Sequence, residues 1–294
     1  MTQAMRRILA ALAASVVVPL LAAGPAAAEP PIWVVSDGDS EMVLFGSIHV
    51  LPPELDWRPP ELTAALSQAD DLWFELPIDP SAEQEAAQAA AMRGYLPPDQ
   101  SLSSMLSEDG RTRLARISAR FGLSPTIIER LQPWFAEVAL SAGAFKASGA
   151  GIESGVERTV SGAAPAGVRR MAFETPAEQI AMFAAAPRAE QVASLEETLR
   201  EIEEDPDAYE VMVRAWMSGD LAALDDEALK PLRESAPALY ERLVTRRNAA
   251  WTRTLDARLK GSGRTVVVVG VGHLLGPGGV PARLRALGYS VKGP

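Results

Sequence analysis

The chain of 294 residues contains only two histidines, and both stand in the same local pattern. His49 ends the stretch Gly46-Ser47-Ile48-His49, and His273 ends Gly270-Val271-Gly272-His273, so each follows a glycine by three residues after an apolar, strand-like run. Ligands of parallel α/β sheets bind beyond the carboxyl ends of the strands, where glycine lets the chain turn and approach another group closely. Histidine is both the usual general base and the commonest metal ligand. The matched pair therefore predicts one shared site for proton-transfer or metal chemistry.

Glu75 is the carboxylate that we expect to complete this site. It lies in Trp73-Phe74-Glu75-Leu76, and an acid in so apolar a setting is costly unless a cation, a metal or a hydrogen-bond donor pairs with it. If the strand that carries Glu75 lies beside the strand that leads to His49, the two side chains emerge at the same edge of the sheet. Glu75 is therefore our third candidate residue.

Several classes of function are excluded or disfavoured by what the sequence lacks. It has no Walker A, H-E-x-x-H or G-x-S-x-G motif, which leaves nucleotide-binding, zincin and α/β-hydrolase assignments unsupported. It has no cysteine, which excludes disulfides, thiolate metal sites and a cysteine nucleophile. The net charge of −10 at pH 7 opposes binding to a phosphate backbone, so we expect no nucleic-acid partner.

The first 28 residues have the pattern of an export signal. Arg6 and Arg7 precede an apolar run over residues 8–23, and Ala26-Ala27-Ala28 matches an A-x-A cleavage site. The apolar run is shorter than the roughly 20 residues that span a bilayer. We expect cleavage after Ala28, export to the periplasm or the medium, no stable membrane insertion, and one mature domain over residues 29–294.

The remaining chain predicts a single, helix-rich α/β domain around a small mixed, mostly parallel sheet. Runs over residues 32–35 and 42–45 flank strong turn residues and predict a β-hairpin. A helix near residues 61–68, a strand over 71–76 and a mostly helical stretch over 81–240 follow. Residues 265–269 include four valines without alternation, which indicates a strand buried on both faces. One long amphipathic helix is predicted by a stripe of apolar residues, Leu239, Leu243, Trp251, Leu255 and Leu259.

Taken together, these motifs resemble those of the TraB/PrgY/GumN family, in its bacterial GumN-like branch. Tiki proteins of animals, described as metal-dependent proteases, and the erythromycin esterase and ChaN-like proteins are similar in motif order and proposed fold. The stretches that carry the resemblance span nearly the whole mature chain: Gly46-Ser47-Ile48-His49-Val50-Leu51-Pro52-Pro53, Phe74-Glu75-Leu76, Pro133-Trp134, Gly151-Ile152-Glu153, Glu174-Thr175 with Glu178-Gln179, Arg247-Asn248 with Trp251, and Gly270-Val271-Gly272-His273-Leu274-Leu275-Gly276.

The resemblance implies catalytic roles for His49, Glu75, Arg247 and His273. Our first hypothesis is a peptidase-like hydrolase in which His49, Glu75 and His273 hold a divalent ion, Mn, Co or Zn, that activates water. The second is a metal-free hydrolase in which His49 is the general base, Glu75 orients it and Arg247 stabilises developing negative charge. The third is a binding or envelope-assembly factor that holds a heme, peptide or saccharide without turnover.

Two further acids match family positions, and their roles are left open by the sequence. Glu153 and Glu174 could each be a ligand, or equally a cap or turn residue. The substrate that the enzyme hypotheses imply is a peptide or a small molecule.

Overall fold

The structure is a computed structural model that describes residues 28–294, without the side chain of Ser235. The predicted signal peptide, residues 1–28, lies outside the described residues except for Ala28. In the described part, no helix combines the length and the apolar composition needed to cross a bilayer.

Six strands form one mixed sheet in the order β4-β3-β5-β2-β1-β6. Strand β1 pairs antiparallel with β2 and with β6, whereas β2, β5, β3 and β4 are parallel neighbours. The predicted α/β fold, the hairpin and the mostly parallel sheet are therefore confirmed. The strands are β1 (Ile32–Ser36), β2 (Ser40–Ser47), β3 (Asp71–Phe74), β4 (Arg169–Ala172), β5 (Gly263–Gly270) and β6 (Ser290–Lys292).

Strand β5 lies at the centre of the sheet and is buried on both faces, as its valine run predicts. Val266 and Val268 belong to the core on one face, while Val267 and Val269 belong to the core on the other. The position of β5 corrects one expectation, because β5 separates β2 from β3. The strand that carries Glu75 is parallel to the strand that leads to His49 but does not lie beside it.

Helices cover both faces of the sheet and also form a separate helical core. That third core has no strand in it and lies between α3, α5 and α8, with Leu114, Leu140 and Leu195 at its centre. The α-helices of the described part are α1 (Pro60–Ser67), α2 (Pro80–Arg93), α3 (Glu108–Arg120), α4 (Pro125–Ile128), α5 (Pro133–Ala147), α6 (Val156–Ala163), α7 (Pro176–Ala184), α8 (Arg188–Glu204), α9 (Ala208–Met217), α10 (Leu221–Leu224), α11 (Lys230–Ser235), α12 (Pro237–Tyr240), α13 (Arg246–Leu259) and α14 (Val280–Ala286).

The predicted long amphipathic helix is continuous but changes its face. A π-helical turn, Glu241–Thr245, joins α12 to α13. Leu243 packs against the core on the face of the sheet that contains Val266 and Val268, whereas Trp251 and Leu255 belong to the core on the other face. The single apolar stripe that we expected is therefore wrong, because the wider turn changes the register between its two halves. The same turn ends two residues before Arg247.

Candidate active site

The four parallel strands bring four of the predicted residues to one edge of the sheet. His49 follows the end of β2, Glu75 directly follows β3, Glu174 follows β4, and His273 follows β5. The β2–β5 register sets Ser47 opposite Gly270, so the two glycine–histidine motifs leave the sheet at the same level. Long-range parallel pairing thus assembles residues that are far apart in sequence.

Arg247 joins three of these residues and is itself buried, with 9% of its surface exposed. Its Nε donates to Glu174 Oε1 at 2.7 Å, and one terminal nitrogen donates to Glu174 Oε2 at 3.0 Å and to Glu75 Oε2 at 2.5 Å. The other terminal nitrogen donates to the Leu243 carbonyl at 3.1 Å and to His273 Nε2 at 3.0 Å.

These contacts define what Arg247 does. A guanidinium has five N–H donors, and the five hydrogen bonds engage all of them. A direct donor role toward substrate, which the metal-free hypothesis gave Arg247, does not fit this arrangement. Arg247 instead fixes the positions of two carboxylates and one imidazole.

His273 is held as a neutral imidazole with its proton on Nδ1. Its Nε2 accepts from Arg247, so Nδ1 must carry the proton that is donated to Asn248 Oδ1 at 2.6 Å. The Asn248 amide is oriented in turn because its Nδ2 donates to the Gly278 carbonyl at 2.9 Å. The ring also lies 4.4 Å from that of Trp251. Burial lowers the pKa of His273 to about 4, which agrees with the neutral form.

His49 has the opposite environment. Its Nδ1 lies 2.7 Å from Glu157 Oε1, and 63% of its side chain is exposed. A carboxylate only accepts, so Nδ1 carries a proton and donates it to Glu157, while Nε2 stands on the side of Gly270 and Glu75. The negative charge of Glu157 raises the pKa of His49 to about 9. Glu157 accepts the hydrogen bond that orients His49. The expectation that Glu75 orients His49 is therefore wrong.

Glu157 is the site residue that the sequence reasoning missed. It also accepts a short hydrogen bond from the Ser47 hydroxyl. Its place beside His49 depends on Gly155, where a Cβ would overlap the His49 carbonyl oxygen and lie 2.7 Å from the carbonyl carbon. The Val156 N–H donates to the Ile48 carbonyl at 3.2 Å. The only available signal was the glycine two residues before an acid, close to the Gly151-Ile152-Glu153 stretch.

Glu75 connects the two histidines. Its Oε1 accepts from the Gly270 N–H at 2.8 Å and lies 3.8 Å from His273 Nε2. Glu75 Oε1 and His49 Nε2 lie 3.1 and 3.4 Å from the point where a Cβ on Gly270 would stand. Burial opposes ionisation of Glu75, but the positive charge of Arg247 and the hydrogen bond from the Gly270 N–H hold its pKa well below the usual range. Glycine at position 270 thus lets a carboxylate and an imidazole approach the chain closely, because a Cβ there would crowd both.

Glu174 lies in the site, and Glu153 lies outside it. Glu174 belongs to the site, because it binds Arg247 at two points and accepts from Trp251 Nε1 at 3.0 Å. Glu153 lies in a short 3₁₀ turn with 86% of its side chain exposed, and its closest ion-pair contact is Arg158 at 3.9 Å. Glu153 is therefore a turn residue, whereas Glu174 belongs to the hydrogen-bond network of Arg247.

The side chains that we expected to bind a metal ion are already bound by Arg247. Arg247 donates to Glu75 Oε2 and to His273 Nε2, so a cation already occupies positions that a metal would need. Among residues 28–294, no group of three or more His, Cys, Asp or Glu side chains is arranged to hold an ion. His49, Glu75 and His273 therefore do not fit a metal centre in the arrangement shown.

Known proteins similar to this chain support the resemblance read from its motifs. The model of the TraB/PrgY/gumN family matches residues 31–293. Two relatives, each named uncharacterized protein YbaP, come from Escherichia coli K12 and from Shigella flexneri. Each is 28% identical over 257 residues, which cover 87% of this chain and 92% of the relative. No solved structure matches the chain.

Proposed function

The chain belongs to the TraB/PrgY/gumN family, and from this premise we propose that it is a hydrolase in which His49 is the general base. The observation that carries the proposal is the pairing of His49 Nδ1 with Glu157 at 2.7 Å in a largely exposed histidine that lines an open cleft. A general base must reach the proton that it removes and must be held in one tautomer by its other nitrogen. His49 meets both conditions, whereas His273 is sealed behind Arg247.

The proposed reaction is the attack of water on the carbonyl of an ester or amide. In this proposal the water stands between His49 Nε2 and Glu75 Oε1, two atoms that both lie close to Gly270. His49 removes its proton as the oxygen bonds to the carbonyl carbon. The imidazolium then gives that proton to the alcohol oxygen or amine nitrogen as its bond to the carbonyl carbon breaks, which releases the acid and the alcohol or amine. Glu157 stabilises the imidazolium, because the two charges lie in contact.

The remaining site residues have positioning roles in this proposal. Arg247 keeps Glu75 ionised and aimed at the water, and His273 fixes the guanidinium by accepting one of its hydrogens. This assignment explains why a neutral histidine is needed at position 273, since an imidazolium there could not accept from Arg247.

The test is hydrolysis of chromogenic esters and amides by the protein over pH 5–10. We expect kcat/KM to rise with pH as His49 loses its proton. In His49→Ala we expect kcat/KM to fall at least about a hundredfold, which is the usual effect of removing a general base. Glu153→Ala is the matched control, because it removes an exposed acid outside the site. Equal rates for wild type and His49→Ala would refute the proposal.

A metal-dependent hydrolase is the second candidate. The observation that favours it is that both imidazoles use Nδ1 for a neighbouring acceptor, Glu157 or Asn248, as metal-binding histidines do. Binding of Mn, Co or Zn would require Arg247 to release Glu75 and His273.

Thermal melting with and without each metal and a chelator separates the two candidates. A ligand that binds only the native state raises the melting temperature by mass action. Stabilisation of wild type that is lost in His49→Ala, Glu75→Gln and His273→Ala would favour the metal-dependent reaction. No stabilisation, together with activity in chelator, would favour the metal-free one.

We also propose that the protein acts after export, with its signal cleaved after Ala28. The backbone N–H of Glu29 donates to the Met217 carbonyl at 2.8 Å, so the new terminus would begin on the folded domain. Intact mass of protein recovered from an exporting host should begin at Glu29, and a full-length product in the membrane would refute this.

A further inference from the structure

A cavity of about 250 Å³ opens directly beside His49. It lies between the chain that follows β3 and the start of α6, and Glu75 and Glu157 stand at its inner end. Ile152 is 62% exposed on its outer wall. The apolar side chains that line it are Phe74, Leu76, Pro77, Ile78 and Ile152.

The charged groups that line this cavity are already paired. Glu157 contacts His49, and Glu75 contacts Arg247. Glu83 and Arg158 form an ion pair between α2 and α6 at the cavity. Because each lining charge has an opposite charge in contact, the cavity offers a charged ligand no partner that is not already engaged. Desolvating a charge without a partner is costly, so an uncharged group is favoured there.

The size of the cavity limits what can fill it. An engineered protein cavity of about 150 Å³ holds benzene, so about 250 Å³ accommodates a phenyl ring or a branched alkyl group together with its linking carbon. A large exposed isoleucine beside a catalytic side chain is also unfavourable in water, and a ligand that covers Ile152 would gain from that burial.

We propose that this cavity binds the apolar acyl side of a neutral ester or amide, and that Ile152 sets the preference for acyl groups of phenyl or branched-alkyl size. The inference rests on the proposed function for the placement of the scissile carbonyl next to His49. It adds the substrate class: uncharged acyl derivatives with one compact apolar group. Gln179 also lines the cavity and is an uncharged polar residue, which agrees with a neutral ligand.

Binding can be measured without turnover, with amides as probes. Acetamide, isovaleramide and phenylacetamide share one polar group and differ only in the apolar part. Each buried methylene contributes about a fourfold gain in affinity, which corresponds to about 0.8 kcal/mol. We expect phenylacetamide and isovaleramide to bind at least about tenfold more tightly than acetamide, measured by ligand-observed NMR or calorimetry. Phenylacetate, the anion, should bind no more tightly than phenylacetamide.

Ile152→Ala tests the wall, and Ile127→Ala is its matched control. Both isoleucines are similarly exposed, at 62% and 58%, but Ile127 does not line the cavity. Ile152→Ala should weaken phenylacetamide binding by about three- to tenfold and leave acetamide binding unchanged. Ile127→Ala should change neither.

The failures of the two proposals are distinguishable. Equal binding of acetamide and phenylacetamide, tighter binding of phenylacetate, or equal effects of the two isoleucine variants would overturn the cavity assignment. Size-dependent amide binding without any ester or amide hydrolysis would support the cavity assignment and count against the catalytic role of His49. Hydrolysis at equal rates for acetyl and phenylacetyl esters would agree with the catalytic role of His49 and count against the cavity assignment.

Discussion

Glu157→Gln removes the charge beside His49 while keeping the shape of the side chain. The glutamine carbonyl oxygen can still accept from His49 Nδ1 and from the Ser47 hydroxyl, as Glu157 Oε1 does. Any change in the protonation of His49 then reports the carboxylate charge, because both hydrogen bonds can persist. We expect the pKa of His49 to fall toward its ordinary value.

The size of the change follows from the contact. The charge of Glu157 raises the pKa of His49 from 6.5 to about 9. Since 63% of the His49 side chain is exposed, solvent screens part of this attraction. We therefore expect the variant to lower the proton affinity of His49 by about tenfold or somewhat more, which corresponds to about 1.4 kcal/mol per tenfold.

The presence of only two histidines makes the assay direct. Nitrogen-detected NMR of the two imidazoles across pH 3–10 should give one that titrates well above 6.5 and one that stays neutral until about pH 4. His273→Asn assigns the signals. In Glu157→Gln the upper titration should move down and the lower one should not, and the rising limb of kcat/KM should follow His49. Two wild-type histidines that titrate together near 6.5, or an upper titration that Glu157→Gln leaves in place, would refute this account of the site.

Three further predictions concern stability. Gly155→Ala should destabilise the fold by about 1–3 kcal/mol because its Cβ would overlap the chain at His49, whereas Gly151→Ala, with nothing within 4 Å of its Cβ, should be near neutral in urea unfolding. Arg247→Ala should cost about 3–5 kcal/mol because it leaves buried carboxylates unpaired, whereas Arg246→Ala, whose side chain is 70% exposed, should change stability by less than about 0.5 kcal/mol. The folded pKa of His273 lies below its unfolded value of 6.5, so its contribution to the free energy of unfolding is present above pH 6.5 and is lost as pH falls toward about 4. Between pH 7 and pH 5 the free energy of unfolding of wild type should fall by about 1–2 kcal/mol more than that of His273→Asn. Equal losses in the two proteins would show that the ring is not held neutral.

The sequence predicted the parts of the fold that depend on strong local patterns. A run of four valines buried on both faces and a turn between two β-branched runs each have a local physical cause. The insertion of β5 between β2 and β3 does not, because strand order depends on pairing between residues about two hundred positions apart. The sequence could predict parallel strands that share an edge but not which strands touch.

The sequence likewise predicted some residues of the candidate site and not others. His49, Glu75, Glu174, Arg247 and His273 were selected from motifs, and the structure brings all of them to one end of the sheet. Glu157 was missed because its role arises from the docking of one loop on another, and no periodicity reports such docking. The contacts of Arg247 were not predictable either, because three of its partners come from elements other than its own helix.

Two copies of one sequence motif thus support two different chemical roles. His49 is open to solvent and paired with a carboxylate, so its proton affinity is raised. His273 is sealed against Trp251 and paired with an amide, so it stays neutral and accepts from Arg247. The surroundings, and not the motif, determine which imidazole holds a proton, because the Glu157 carboxylate raises the proton affinity of His49, whereas burial and the Arg247 guanidinium lower that of His273. The asymmetry argues that one histidine serves proton transfer and the other holds the guanidinium that orients Glu75.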